Sequence, residues 1–260
     1  MTELLQPEPA RALAALLDVP VPDFGAGEGL PLLWHWLYLL DRPAQTDLGP
    51  DGHPVRNTVM APPGPGRRRM WAGGRVWTRG TLRCGEPATR LATVLSVQDK
   101  QGRSGPLSFV VLRHRIVQSG QVVVDEQQDI VYRDATGSIT VPEPRPIVPV
   151  AAGEWSIDVT PTLLFRFSAL TYNAHRIHYD RDYARDVEGY PGLLTHGPLQ
   201  ALAMAEAARA RPSDRPSFFE YRLLAPLFDH QGMVVHAGPV ETSVRDIHGR
   251  QTATGSFSVR

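Results

Sequence analysis

The sequence contains a single cysteine, Cys84, which excludes an intrachain disulfide and any multi-cysteine metal site. That usage fits a reducing compartment. A charge imbalance is also missing: Lys plus Arg and Asp plus Glu stand at 27 each, so nothing draws the chain as a whole to nucleic acid. No apolar run is long enough to span a bilayer, since the most hydrophobic stretch covers only residues 30–40. No basic region followed by an uninterrupted apolar segment opens the chain, so no secretory signal is expected and the cytoplasm is the default location. Neither a membrane nor a nucleic acid is therefore an expected partner.

What is present is a globular composition. With 42% hydrophobic and 21% charged residues, 260 residues can build a sizeable core in one large domain or two smaller ones. A short helix is expected over 9–17, bounded by proline and Asp18. The stretch PLLWHWLYLLDRP, residues 31–43, is apolar on nearly every face and predicts a buried helix. Prolines and glycines over 48–66 rule out a regular element, and so long a loop is often functional, as a lid or a substrate contact. Residues 75–82, 90–100, 106–118 and 121–134 then read as four strands with short, turn-rich connections, which implies an antiparallel meander.

The proline-rich segment TVPEPRPIVPV, residues 140–150, reads as a linker between a unit over 1–139 and a second over 151–260. The second unit offers an apolar helix over 198–210 and strands over 216–228, 232–246 and 250–260. Helix followed by strands on both sides predicts two copies of one α+β unit, with helices near 32–40 and 198–210 packed inside antiparallel sheets. No residue-level repeat is visible.

Potential chemistry concentrates in residues 167–205. Asn173, His175 and His178 fall in a polar turn, and His196-Gly197-Pro198 opens the apolar helix, with Pro198 placed where its missing N–H costs nothing. Free N–H groups at a helix start can hold partial negative charge on an oxygen. A histidine opposite that point could move a proton on a substrate held there; the plain alternative is a polar turn feeding a core helix. Asp180 reads either as a helix cap or as a stand-in carboxylate, and Tyr172 and Tyr190 as pocket walls. Arg222 suits either an ion pair or a bound anion. Arg67, Arg68 and Arg69 read as a solvated loop, in which Arg69 is a candidate contact for phosphate. His175, His178 and His196 also raise a metal site, but no carboxylate-rich or cysteine cluster supports one and none is expected.

The segment FSALTYNAHRIHYDRDYARDVEGYPGLLTHGPL resembles the hydratase motif of MaoC-like enoyl-thioester hydratases, A-x-T-x-D-x-N-P-x-H followed further on by A-H-G. Thr171, His178, His196 and Gly197 match that pattern. In the first half, LLWHWLYLL, LGPDGHP, RRMWAGGR, GRSGPLSFVVLRHRI and DIVYR look like the N-terminal part of double-hot-dog hydratases acting on mesaconyl-, methylfumaryl- or itaconyl-type coenzyme A thioesters. The resemblance thus covers nearly the whole chain. It implies a double hot-dog, a substrate-binding N-terminal unit and a catalytic C-terminal one. It further implies a pseudo-dimer within one chain, with a homodimer open, and reversible hydration of an enoyl thioester on coenzyme A or acyl carrier protein. No cofactor is implied beyond the thioester substrate.

That chemistry needs a proton carrier, an oxyanion donor and an ordered water. On the resemblance these roles fall to His178, the Gly197 backbone N–H and Asn173. Tyr172, His175, Tyr190, His196, Arg222 and Arg69 are the candidate substrate contacts. One departure stands out: Asn173 occupies the position of the acidic partner, and the motif's asparagine and proline fall on His175 and Arg176. Asn173 cannot accept a proton, though it can position water, and His175 or Asp180 is a candidate replacement. A hot-dog acyl-thioesterase and a non-catalytic acyl-thioester-binding protein are the rival readings.

Overall fold

Ten strands pair edge to edge in the computed structural model, which describes residues 1–56, 59, 67–102, 105–134, 145–210 and 217–258. In chain order they are β1 (Thr2–Leu4), β2 (Arg67–Thr78), β3 (Pro87–Gly102), β4 (Gly105–Gln118), β5 (Gln121–Asp134), β6 (Trp155–Ile157), β7 (Phe218–Leu223), β8 (Met233–Ala237), β9 (Glu241–Arg245) and β10 (Gln251–Ser258). Their order across the sheet is β1-β3-β4-β5-β2-β7-β10-β9-β8-β6, and neighbouring strands pair antiparallel. The β4–β5 hairpin turns at Ser119 and Gly120, both at positive φ (50° and 76°), the backbone that suits a twisted two-residue connection.

The two halves join where β2 meets β7, and β2 is paired on both flanks from Gly73 to Trp77. Close approach explains the glycines here: a Cβ on Gly73 would lie 2.4 Å from the Tyr221 carbonyl oxygen, and one on Gly74 2.6 Å from that of Gln127.

Among the described residues four α-helices accompany the sheet: α1 (Glu8–Leu17), α2 (Pro161–Leu170), α3 (Arg181–Asp186) and α4 (Gly197–Arg209). Helix α1 buries Leu13, Ala14, Leu16 and Leu17 and stops at Asp18, which adopts the left-handed conformation at φ 53°. Every residue of α4 from Leu199 to Glu206 is buried, as an apolar helix wrapped by strands requires, and it packs on β8, β9, β10 and β2. This is the expected central helix of the C-terminal unit. No helix of the described residues is long and apolar enough to cross a membrane.

The first half departs from expectation. Residues 31–43 form no α-helix; a single 3₁₀ turn, Trp34–Leu37, lies between Leu33 and Leu39, both at positive φ (69° and 55°). Tertiary partners override the local pattern, because the polar handles of this stretch are called to different sides. Trp34 donates to Glu206 of α4 at 2.6 Å, Trp36 donates to Glu126 of β5 at 2.8 Å, and the Tyr38 hydroxyl donates to the Gln6 carbonyl at 2.7 Å. Residues 67–69 are the start of β2 and not a solvated loop. The strand expected over 232–246 is two, β8 and β9, broken after Ala237. Helix α2 answers to no sequence expectation, although Thr160 caps it by accepting the Leu163 N–H at 3.1 Å and a proline follows. Of the expected linker, residues 140–144 lie outside the described residues, as do 57, 58 and 60–66 of the long loop.

The Trp34–Glu206 bond stitches the first half to the helix of the second. Trp34→Phe removes the indole donor while Glu206 keeps Arg209. A loss of about 1–3 kcal/mol in unfolding free energy is expected, read from urea denaturation; an unchanged midpoint would show that the bond contributes nothing.

Candidate active site

Helices α2 and α4 deliver the reacting end. A 3₁₀ turn, Arg176–His178, follows α2, and the next strand-like segment runs beside it, with the Leu194 N–H donating to the Ile177 carbonyl at 3.0 Å. That bond sets His178 against the start of α4. The His178 ring stacks on His196 with centroids 3.7 Å apart and planes 18° from parallel. His178 donates Nδ1–H to the Leu194 carbonyl at 2.7 Å, which fixes the tautomer and leaves Nε2 as the proton acceptor. Burial pushes its pKa down to about 4, against a partial lift from the Leu194 bond. The ring is therefore neutral near pH 7.

His196 is 1% exposed and shares a 2.8 Å hydrogen bond between Nε2 and Ser168 Oγ of α2. It stands behind His178 as the N-cap residue of α4 and is not on the cavity lining. Burial, then the neighbouring His178, holds it well below the ordinary histidine value.

A cavity of about 1180 Å³ opens in front of His178, with walls from both halves. Asn173, His175, Tyr172, Tyr190, Gly197 and Arg69 all line it. Asn173 Oδ1 accepts the His175 N–H at 3.0 Å, so its side-chain amide is left to donate. Tyr190 is buried beneath the Arg68 guanidinium, 5.4 Å from the ring centroid. Gly197 begins α4, and the following Pro198 carries no N–H, so few donors compete at this helix end. Arg222 is exposed and absent from the lining. Asp180 is committed elsewhere: it caps α3 by accepting the Tyr183 N–H at 3.0 Å and pairs with Arg176 at 2.8 Å.

A carboxylate enters the cavity from the first half. Residues 48–55 fold down on the hydratase segment, where the Arg176 N–H donates to the Asp51 carbonyl at 2.9 Å. Gly52 sits at φ 88°, and a Cβ there would meet the Ala174 carbonyl oxygen at 1.9 Å, so no side chain fits. Asp51 accepts the His53 N–H at 3.0 Å and its Nδ1–H at 2.9 Å, and the His53 ring lies 3.9 Å from that of His175. Burial opposes the Asp51 charge, but the bonds from His53 outweigh it and its pKa lies below the ordinary value. His53 and His175 are both lowered, by burial first.

Sequence reasoning missed Asp51 and His53 as site residues. Among the described residues, His175, His178 and His196 are not a group whose ligand atoms converge. The ligand-capable group that does converge among the described residues is Asp51, His53 and His175, whose atoms lie within 4.8 Å of one another.

Comparison with known proteins places the chain in company that this geometry suits. The family model described as hydroxyacyl-thioester dehydratase type 2 matches residues 33–229. A mesaconyl-C(4)-CoA hydratase of Chloroflexus aurantiacus is 47% identical over 221 residues, 85% of this chain and 79% of the relative. Among solved structures, HtdX of Mycobacterium tuberculosis superposes with a TM-score of 0.69 at 15% identity, covering 100% of this chain and 99% of its own. A conserved hypothetical protein of the same organism, described as having a double hot-dog fold, gives 0.57 at 14% identity over 99% and 92%. The double hot-dog is thus the fold of this chain.

Neutral buried histidines carry a stability signature. The unfolded chain protonates near 6.5, whereas His178 in the fold resists until about 4 and His175 and His196 are also lowered. Between those limits the unfolded state binds more protons, so stability falls as pH falls through that window. The urea midpoint should drop progressively from pH 7 to pH 5; a flat midpoint would contradict the neutral assignment.

Proposed function

The chain belongs to the hydroxyacyl-thioester dehydratase type 2 family, and on that premise we propose that the cavity between its halves adds water to, and removes it from, a short branched or dicarboxylic enoyl-CoA. The enzyme is a hydro-lyase acting on coenzyme A thioesters. The observation that carries the finer reading is the locked tautomer of His178: its Nδ1–H is spent on Leu194, and Nε2 is unprotonated beside the start of α4.

In the hydration direction His178 Nε2 takes a proton from a water that attacks the β carbon. The electron pair moves onto the thioester carbonyl oxygen, where the Gly197 N–H at the helix start stabilises the enolate. His178 then returns its proton to the α carbon. The Asn173 amide holds the water, and Tyr172 and Tyr190 wall the acyl group. Every proton and electron pair comes from water, substrate and His178, so the scheme draws on no cofactor. The relative from Chloroflexus aurantiacus supports the choice of acyl class by its name.

His178→Gln, which can still offer an N–H to Leu194, should slow hydration of mesaconyl-C(4)-CoA by roughly a hundredfold to ten-thousandfold, the scale of losing a general acid or base. Asn173→Ala should cost less. The wild-type rate should also hold from neutral pH down to about pH 5 and lose activity near the His178 value of about 4. Wild-type turnover in His178→Gln would return the segment to a polar turn feeding a core helix.

A further inference from the structure

We propose that Arg69, with His53 and His175 beside it, forms a carboxylate-binding subsite that selects acyl groups bearing a negative charge next to the carbon that takes up water. The proposal rests on the hydratase reading of the same cavity. Three successive arginines start β2, and two of them are consumed by the protein. Arg67 donates to the Tyr132 carbonyl and to Ser108 Oγ, each at 3.1 Å, and Arg68 pairs with the Glu188 carboxylate at 2.7 Å. Arg69 faces the cavity, with the Tyr132 side chain as its hydrogen-bond partner. Among the described residues no carboxylate lies within ion-pair distance of its guanidinium. The acidic group that acts on it, Asp51, has one side-chain oxygen on the His53 N–H and the other on Nδ1–H.

The subsite is close to the chemistry. The His175 ring lies 5.4 Å from that of His178 and stands edge-on to it at 89°, and the His53 ring lies 3.9 Å from that of His175. A carboxylate borne by the β carbon is one bond from the carbon attacked by water, so it falls against this neighbouring group when His178 addresses that carbon. A mesaconyl group esterified through C4 carries such a carboxylate.

The Asp51 carboxylate is engaged by His53, which leaves the Arg69 guanidinium as the charged group open to a ligand here. The Arg69 charge opposes protonation of both His53 and His175, and it would equally repel a cation placed among Asp51, His53 and His175. An incoming carboxylate meets the opposite response. It pairs with the guanidinium.

The test compares kcat/KM on mesaconyl-C(4)-CoA and on 3-methylcrotonyl-CoA, which has the same branched skeleton with a methyl group in place of the carboxylate. The wild type should prefer the charged thioester. Arg69→Gln should lose roughly tenfold to a hundredfold on it, mostly through KM, the scale of one charge-assisted hydrogen bond, and change less than about threefold on the uncharged one. Arg69→Lys should recover part of the loss. Equal losses on both thioesters, or a wild type without preference for the charged one, would overturn the subsite. Stoichiometric zinc in the purified protein would also overturn it, by occupying His53 and His175. If Arg69→Gln does not fold, the wild-type preference and Arg69→Lys still decide. A wild type that hydrates neither thioester, yet hydrates another enoyl-CoA, sinks the carboxylate subsite alone; one that hydrates no enoyl-CoA sinks the hydratase reading itself.

Discussion

The hydrogen bond from His178 Nδ1 to the Leu194 carbonyl is the constraint on which the site depends. It joins the turn after α2 to the segment before α4, and it decides which nitrogen of the ring can accept a proton. Stacking on His196 seals the far face, and Ser168 of α2 holds His196 in turn. A chain of contacts from two helices therefore fixes one imidazole as neutral, oriented and beside a helix start. A freely rotating histidine at the same depth would lose that orientation, and with it the near-attack geometry that general-base catalysis needs.

The two halves divide the work unequally. The second supplies the central helix α4, with Gly197 at its start, and His178. The first has a short 3₁₀ turn where a central helix was expected, and long strands that extend the cavity. It also sends the segment 48–55 across to lie on Ala174 and Arg176. The motif in the second half carries an asparagine where its acidic member stands, and Asp51 reaches the cavity from the other half. That carboxylate is paired with His53, not with His178.

Much of the fold was legible because its signals are local. Helix α4 shows its proline start and its apolar run, and β4 and β5 show their apolar runs and the Ser119-Gly120 turn. Motif spacing singled out His178, Gly197 and Asn173, and all three line one cavity. The 31–43 stretch misled because its apolar residues state only that it is buried; which partner each aromatic handle finds is a tertiary fact. Helix α2 was overlooked although Thr160 and Pro161 form a capping signal. Asp51 and His53 were inside a loop already marked as functional. Nothing in sequence could show that Gly52 lets that loop rest on the Ala174 backbone and so brings the pair to His175.

The central claim is that water attacks the β carbon and leaves the thioester intact. Turnover of mesaconyl-C(4)-CoA in ¹⁸O-labelled water, followed by mass spectrometry of the coenzyme A species, tests it most directly. The expected result is one labelled oxygen in the β-hydroxyl of an intact acyl-CoA, with no free thiol released. Label in a liberated acid, with stoichiometric free coenzyme A, would mean that the helix start activates the carbonyl carbon for hydrolysis, and would contradict the account.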